Sequence, residues 1–109
     1  MMVIRVQDAA AHRIDEIFRY TRDQWGQAQA ERYIRGLFDR FQAIADRRFP
    51  WHPIPAEFGV DGYVCRYEHH FIYWRQLGDG DIGIATVLHG RMHQIDRIRD
   101  DVWGAEPSP

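Results

Sequence analysis

Two runs of apolar residues at helical spacing, separated by a single glycine, constrain this chain more than any other feature. In the first run, Ile14, Ile17, Phe18, Thr21 and Trp25 recur at steps of three and four, which predicts a helix with one buried stripe. In the second, Ala30, Tyr33, Ile34, Leu37, Phe38, Phe41, Ile44 and Ala45 keep the same spacing, while Arg32, Arg35, Asp39, Arg40 and Asp46 fall on solvated faces. Gly26 stands between the runs, and glycine takes the left-handed conformation that ends a helix and reverses the chain. So short a connection forces the helices antiparallel, as an αα-hairpin. Two striped helices need a second layer to bury their stripes against.

The rest of the chain supplies that layer. Met2 to Val6 is apolar and β-branched, and predicts a first strand, with Asp8 placed to cap the following helix. Tyr63 to Tyr67 and His70 to Leu77 predict a hairpin around Glu68-His69. Gly78-Asp79-Gly80-Asp81 is a tight-turn signal, because Asp-Gly tolerates positive φ. Ile82 to Leu88 is apolar on both faces, as an interior strand is. Simple alternation places Ile82, Ile84 and Leu88 on one face, and Ala85 and Val87 on the other. Pro50, Pro53 and Pro55 make Phe49 to Asp61 a loop, whose Trp51 and Phe58 either plug the core's edge or meet a partner. Ile95, Ile98 and Val102 predict a short amphipathic helix after Gly90. The expectation is an α+β fold of order βααβββ(α), an antiparallel sheet with the αα-hairpin packed on one face. Residues 1–103 form a single domain in this reading, and 104–109 a flexible tail.

Composition narrows the function. Of 109 residues, 45% are apolar and 14% aromatic, which is enough for one core. Net charge is −2, and this argues against non-specific phosphate binding as the main task, since such domains are usually basic. All 14 cationic side chains are Arg. Genomic base composition accounts for that, or else a need for the bidentate contacts that only a guanidinium makes. The span from Trp51 to Ile95 holds only three Arg, so the sheet's cations are easily named: Arg66, Arg75 and Arg91. Cys65 is the single cysteine and excludes an intrachain disulfide, which suits a reducing compartment. With no membrane-spanning apolar run, the chain reads as soluble and cytoplasmic.

Three groups are candidates for chemistry. Arg66 and Arg75 sit in aromatic and aliphatic strands, either as a cationic patch for phosphate or carboxylate, or as charges that guard an edge strand. The run His89-Gly90-Arg91-Met92-His93 follows the interior strand; its histidines suit acid–base work and its arginine suits charge stabilisation, against the alternative of a solvated turn. A metal site there is disfavoured, because Gly90 opposes the continuous helix that would align His89 with His93. His69 and His70 lie at a hairpin turn, where adjacent strand residues point to opposite faces, so they do not easily share an ion and the pair reads as structural or incidental. Cys65 within a strand reads as a small core residue. No zinc spacing, phosphate-cradling glycine loop or nucleophile elbow is present.

Together these segments resemble a known family. Ile17-Phe18-Arg19-Tyr20-Thr21, Trp25-Gly26, Gln29-Ala30 and Tyr33 look like the helical hairpin of ParE-type toxins in the RelE/ParE superfamily. Gly62-Tyr63, Arg66, His70-Phe71-Ile72-Tyr73, Arg75, Asp79-Gly80, Ile82, Ile84 and Val87-Leu88-His89-Gly90-Arg91-Met92 extend the resemblance from about Val3 to Met92. The resemblance implies a toxin, with no cofactor, that poisons DNA gyrase and is held in a hetero-oligomer by a ParD-like antitoxin. It implies target contacts at His89, Arg91, Met92 and His93, with Arg66 and Arg75 in support, and antitoxin contacts at Trp25 and Tyr33. Phe41 reads as core. RelE-like relatives instead cut mRNA on the ribosome, a reading that would make Arg66, Arg75, His89 and Arg91 catalytic. The low charge and the Leu88-His89-Gly90-Arg91-Met92 ending favour the ParE branch. A degenerate homologue that only binds antitoxin is the third reading.

Overall fold

The computed structural model describes residues 3–103, so the tail predicted at 104–109 lies outside the described residues. Strand β1 (Ile4–Val6) leads into α1 (Asp8–Trp25) and α2 (Gln27–Ala45). Strands β2 (His52–Pro53), β3 (Tyr63–Tyr67), β4 (His70–Gln76) and β5 (Ile82–His89) follow, with a 3-10 turn at Ala56–Phe58 between the first two. A short helix α3 (Gln94–Ile98) runs on into a π-helical turn, Arg99–Trp103. The five strands form one sheet in the order β1-β5-β4-β3-β2. It is mixed and mostly antiparallel: only β1 pairs in parallel, with β5.

Gly26 does the work of both helix ends. Its φ of +94° is one that L side chains rarely adopt. Its N–H donates to Arg22 O at 2.8 Å and its carbonyl accepts from Ala30 N at 3.1 Å, so one residue satisfies a terminus of each helix. Asp8 is not the cap predicted for α1. It is the first helical residue, and Gln7 precedes it without a side-chain cap bond. Asp8 acts instead through its charge near the positive end of the helix dipole.

The hairpin packs on one face of the sheet. Ala10, Ile14 and Ile17 of α1 and Leu37, Phe41 and Ile44 of α2 bury against Ile72, Trp74, Ile82, Ile84 and Val87. A second, smaller core lies on the opposite face, where Ile98 of α3 meets Ile54, Tyr73, Ala85 and Leu88.

The structure corrects three expectations here. Trp25 and Phe38 keep helical spacing but are 72% and 44% exposed, at the hairpin tip and on the outer flank of α2. The proline loop contains a strand, β2, in which His52 and Pro53 pair with Val64 and Tyr63. Pro53 is tolerated because β2 is the sheet's edge. Finally, β5 does not alternate simply. Tyr73 pairs with Thr86, but the next residue, Trp74, pairs with Ile84, so Ala85 is a bulge. The extra residue moves Val87 to the helix side with Ile82 and Ile84, and turns Leu88 to the other side with Ala85.

Candidate functional site

The bulge decides what meets at the C-terminal end of β5. Because Val87 faces the helices, His89 follows two residues later on the same side. The register pairs His89 with His70 and so brings the β3–β4 turn alongside it. The His70 and His89 rings pack edge to face at 5.1 Å, and His69 stacks on His89 at 6.3 Å. His89 Nδ1 accepts from the Arg91 backbone N–H at 3.0 Å, which closes the turn carrying Arg91.

From α2, the Tyr33 hydroxyl lies 2.6 Å from His70 Nδ1. Burial pushes the Tyr33 phenol up to about 12. Burial, with the neighbouring His89 and His69, pushes His70 down to about 4. Near neutrality the phenol is therefore the donor and a neutral imidazole the acceptor. His89 is lowered too, by burial first and then by Arg91 and His69. Tyr67 completes the cluster, donating to the Tyr33 carbonyl at 2.9 Å with its ring edge-on to Tyr33 at 5.1 Å. That approach depends on Gly36, where any Cβ would collide with the Tyr67 hydroxyl.

These residues wall a groove of about 910 Å³ between the hairpin and the end of β5. Ile17, Tyr20 and Trp25 of α1 and Arg32 and Tyr33 of α2 form one side; Tyr67, Glu68, His69, His70, His89, Arg91 and Met92 form the other. Tyr20 and Trp25 are large aromatics left exposed, and both line it. Exposed aromatics beside arginines are the composition of a macromolecular contact surface.

The groove brings together seven of the residues singled out from sequence, Trp25, Tyr33, His69, His70, His89, Arg91 and Met92, so the adjacent histidines meet at one site although they were read as facing apart. It does not include Arg66, Arg75 or His93. Arg66 pairs with Phe71 and Arg75 with Gly83, so they stand four residues apart along β4, roughly 13 Å. Both project from the face opposite the hairpin, and Arg66 Nε is held by the Glu68 carbonyl at 2.8 Å. His93 is exposed at the start of α3. Cys65 is half-buried against the helix-side core, and burial raises its thiol pKa. Among the described residues no group of three or more His, Cys, Asp or Glu is placed to hold a metal. None of their helices is long and apolar enough to cross a membrane. Sequence reasoning missed Tyr20, Tyr67 and Gly36; the one local signal was a glycine inside an otherwise unbroken helical run.

Comparison with known proteins agrees with this architecture. Residues 4–94 match the family described as the ParE toxin of the type II toxin–antitoxin system parDE. Toxin ParE of Escherichia coli is 31% identical over 88 residues, covering 81% of this chain and 84% of that protein. Toxin ParE1 of Mycobacterium tuberculosis H37Rv is 33% identical over 90 residues, covering 82% of this chain and 89% of that protein. A solved chromosomal ParDE system from P. aeruginosa contains a chain with the same fold, at a TM-score of 0.66 and 16% identity, covering 82% of this chain and 96% of that one. The chain therefore belongs to the ParE toxin family of type II toxin–antitoxin systems.

Proposed function

We propose that this protein is a toxin that inhibits DNA gyrase and is neutralised by a ParD-like antitoxin, and that both partners use the groove between the hairpin tip and the end of β5. The observation that carries the proposal is convergence. Trp25 and Tyr33, the residues expected to meet antitoxin, and His89, Arg91 and Met92, those expected to meet the target, line one groove. Two partners on one surface exclude each other, which is the simplest physical route to neutralisation.

The groove suits adhesion better than bond cleavage. His70 is neutral and committed to Tyr33, and His89 is biased toward the neutral form, so neither is a poised proton donor near pH 7. Arg66 and Arg75 lie on the other face of the sheet, away from His89. A net charge of −2 is also low for a protein that must dock on ribosomal RNA. Expression in a susceptible bacterium tests the reading: DNA damage and filamentation with continuing protein synthesis are expected. Immediate translation arrest with cut mRNA would replace it with the nuclease reading. Unimpaired growth with folded protein would indicate a binding-only homologue.

A further inference from the structure

We infer that Asp101 is a positioning residue whose carboxylate clasps the C-terminal segment to α1 and β5 and sets Arg13 in the wall of the groove. The inference rests on the groove reading above, but its geometry stands by itself. Arg13 presents its guanidinium side-on: Nε donates to Asp101 Oδ2 at 2.9 Å and Nη2 to Oδ1 at 3.2 Å. The Thr86 hydroxyl donates to the same Oδ2 at 2.7 Å. The Arg13 and Asp101 side chains are only 16% and 12% exposed, and Thr86 is fully buried. One carboxylate thus ties together three elements, reaching Arg13 across 88 positions of sequence.

The location explains the need. β1 ends at Val6, opposite Ile84, so β5 has no strand neighbour on that side from Ala85 onward. Thr86 is the polar residue in an otherwise apolar buried run, and Asp101 is its acceptor. The other end of the segment is pinned at Gln94, whose amide accepts from the Tyr73 hydroxyl at 2.7 Å and donates to the His89 and Met92 carbonyls at 2.7 and 3.0 Å. The segment is a strap fixed at both ends, with Ile98 buried between them. Arg13 is the link to function. It lines the groove, and its Nη1 reaches Glu16 at 3.4 Å. Without Asp101, a nearly buried guanidinium loses its principal partner and must turn toward Glu16 and the groove.

The experiment compares full-length wild type with Asp101→Ala, Asp101→Asn, which keeps an acceptor for Thr86, and Asp100→Ala as an exposed neighbouring control. Proton NMR follows the Arg13 Nε–H and the backbone amides of the strap, and purified gyrase supercoiling gives the half-inhibitory concentration. For Asp101→Ala we expect loss of the slowly exchanging Arg13 signal, exchange of strap amides faster by about tenfold or more, and a half-inhibitory concentration raised by about tenfold. Asp101→Asn should fall between, and Asp100→Ala should match wild type. An unchanged Arg13 signal and strap exchange in Asp101→Ala would overturn the clasp. Loss of the signal with undiminished inhibition would overturn the positioning role. If wild type itself leaves gyrase untouched, the proposed target fails separately, and the Arg13 signal still decides the clasp.

Discussion

Burial of His70, beside His89 and His69, makes folding sensitive to acid, and the sign follows from which state holds the proton. His70 titrates near 4 when folded, against 6.5 for an ordinary imidazole. Between those values the unfolded chain binds the proton and the folded chain does not. The contribution is therefore complete above pH 6.5 and declines as pH falls toward 4. His70→Gln keeps an acceptor for Tyr33 but cannot titrate. Urea unfolding at pH 7 and pH 4.5 should therefore show a much smaller acid loss in that variant, and an equal loss would place the sensitivity elsewhere. Gly36 supplies a second residue-level prediction. Gly36→Ala drives a methyl into the Tyr67 hydroxyl and breaks its bond to the Tyr33 carbonyl, at a cost of about 1–3 kcal/mol. Adding Tyr67→Phe removes the colliding oxygen and should recover part of that loss. Strict additivity of the two changes in thermal unfolding would argue against the contact.

At the scale of elements, periodicity made both helices legible, because a stripe at three- and four-residue steps has no other economical solution. Periodicity reports spacing and not burial, which is why Trp25 and Phe38 passed for core while standing in solvent. Trp25→Ala should change stability by less than about 1 kcal/mol yet weaken antitoxin binding. Phe41→Ala, at a fully buried site, should cost about 3–5 kcal/mol. Calorimetric unfolding beside antitoxin titration separates the two effects, and a large stability loss at Trp25 would return it to the core. The strands were legible from their turns, but β2 was not, since two residues with a proline carry no alternation. The bulge at Ala85 was equally hidden: pairing register is a property of two strands, and a single strand's sequence does not contain it. Consequently the residue types of the site could be read, but not their grouping. His89, Arg91 and Met92 were recognised at a strand end, whereas the separation of Arg66 from them depends on which face each strand turns inward. The Arg13–Asp101–Thr86 clasp had no local sequence signal at all.

For the whole molecule, the sheet and the clasped C-terminal segment make a base, and the hairpin tip stands against it to frame the groove. That frame provides an exposed aromatic and cationic surface held by two cores, one on each face of the sheet. Mutual exclusion on this surface predicts that toxin already bound to antitoxin is inert toward its target. It also predicts that changes at Arg91 act on inhibition without disturbing the fold, since Arg91 is exposed on a turn. The most direct measurement is gyrase supercoiling with purified components: wild-type protein, Arg91→Ala, and wild type preincubated with stoichiometric antitoxin. The account predicts inhibition by wild type, inhibition weakened about tenfold or more by Arg91→Ala, and none in the presence of antitoxin. Full supercoiling at excess wild-type protein, or a ternary complex of toxin, antitoxin and gyrase that still inhibits, would contradict it.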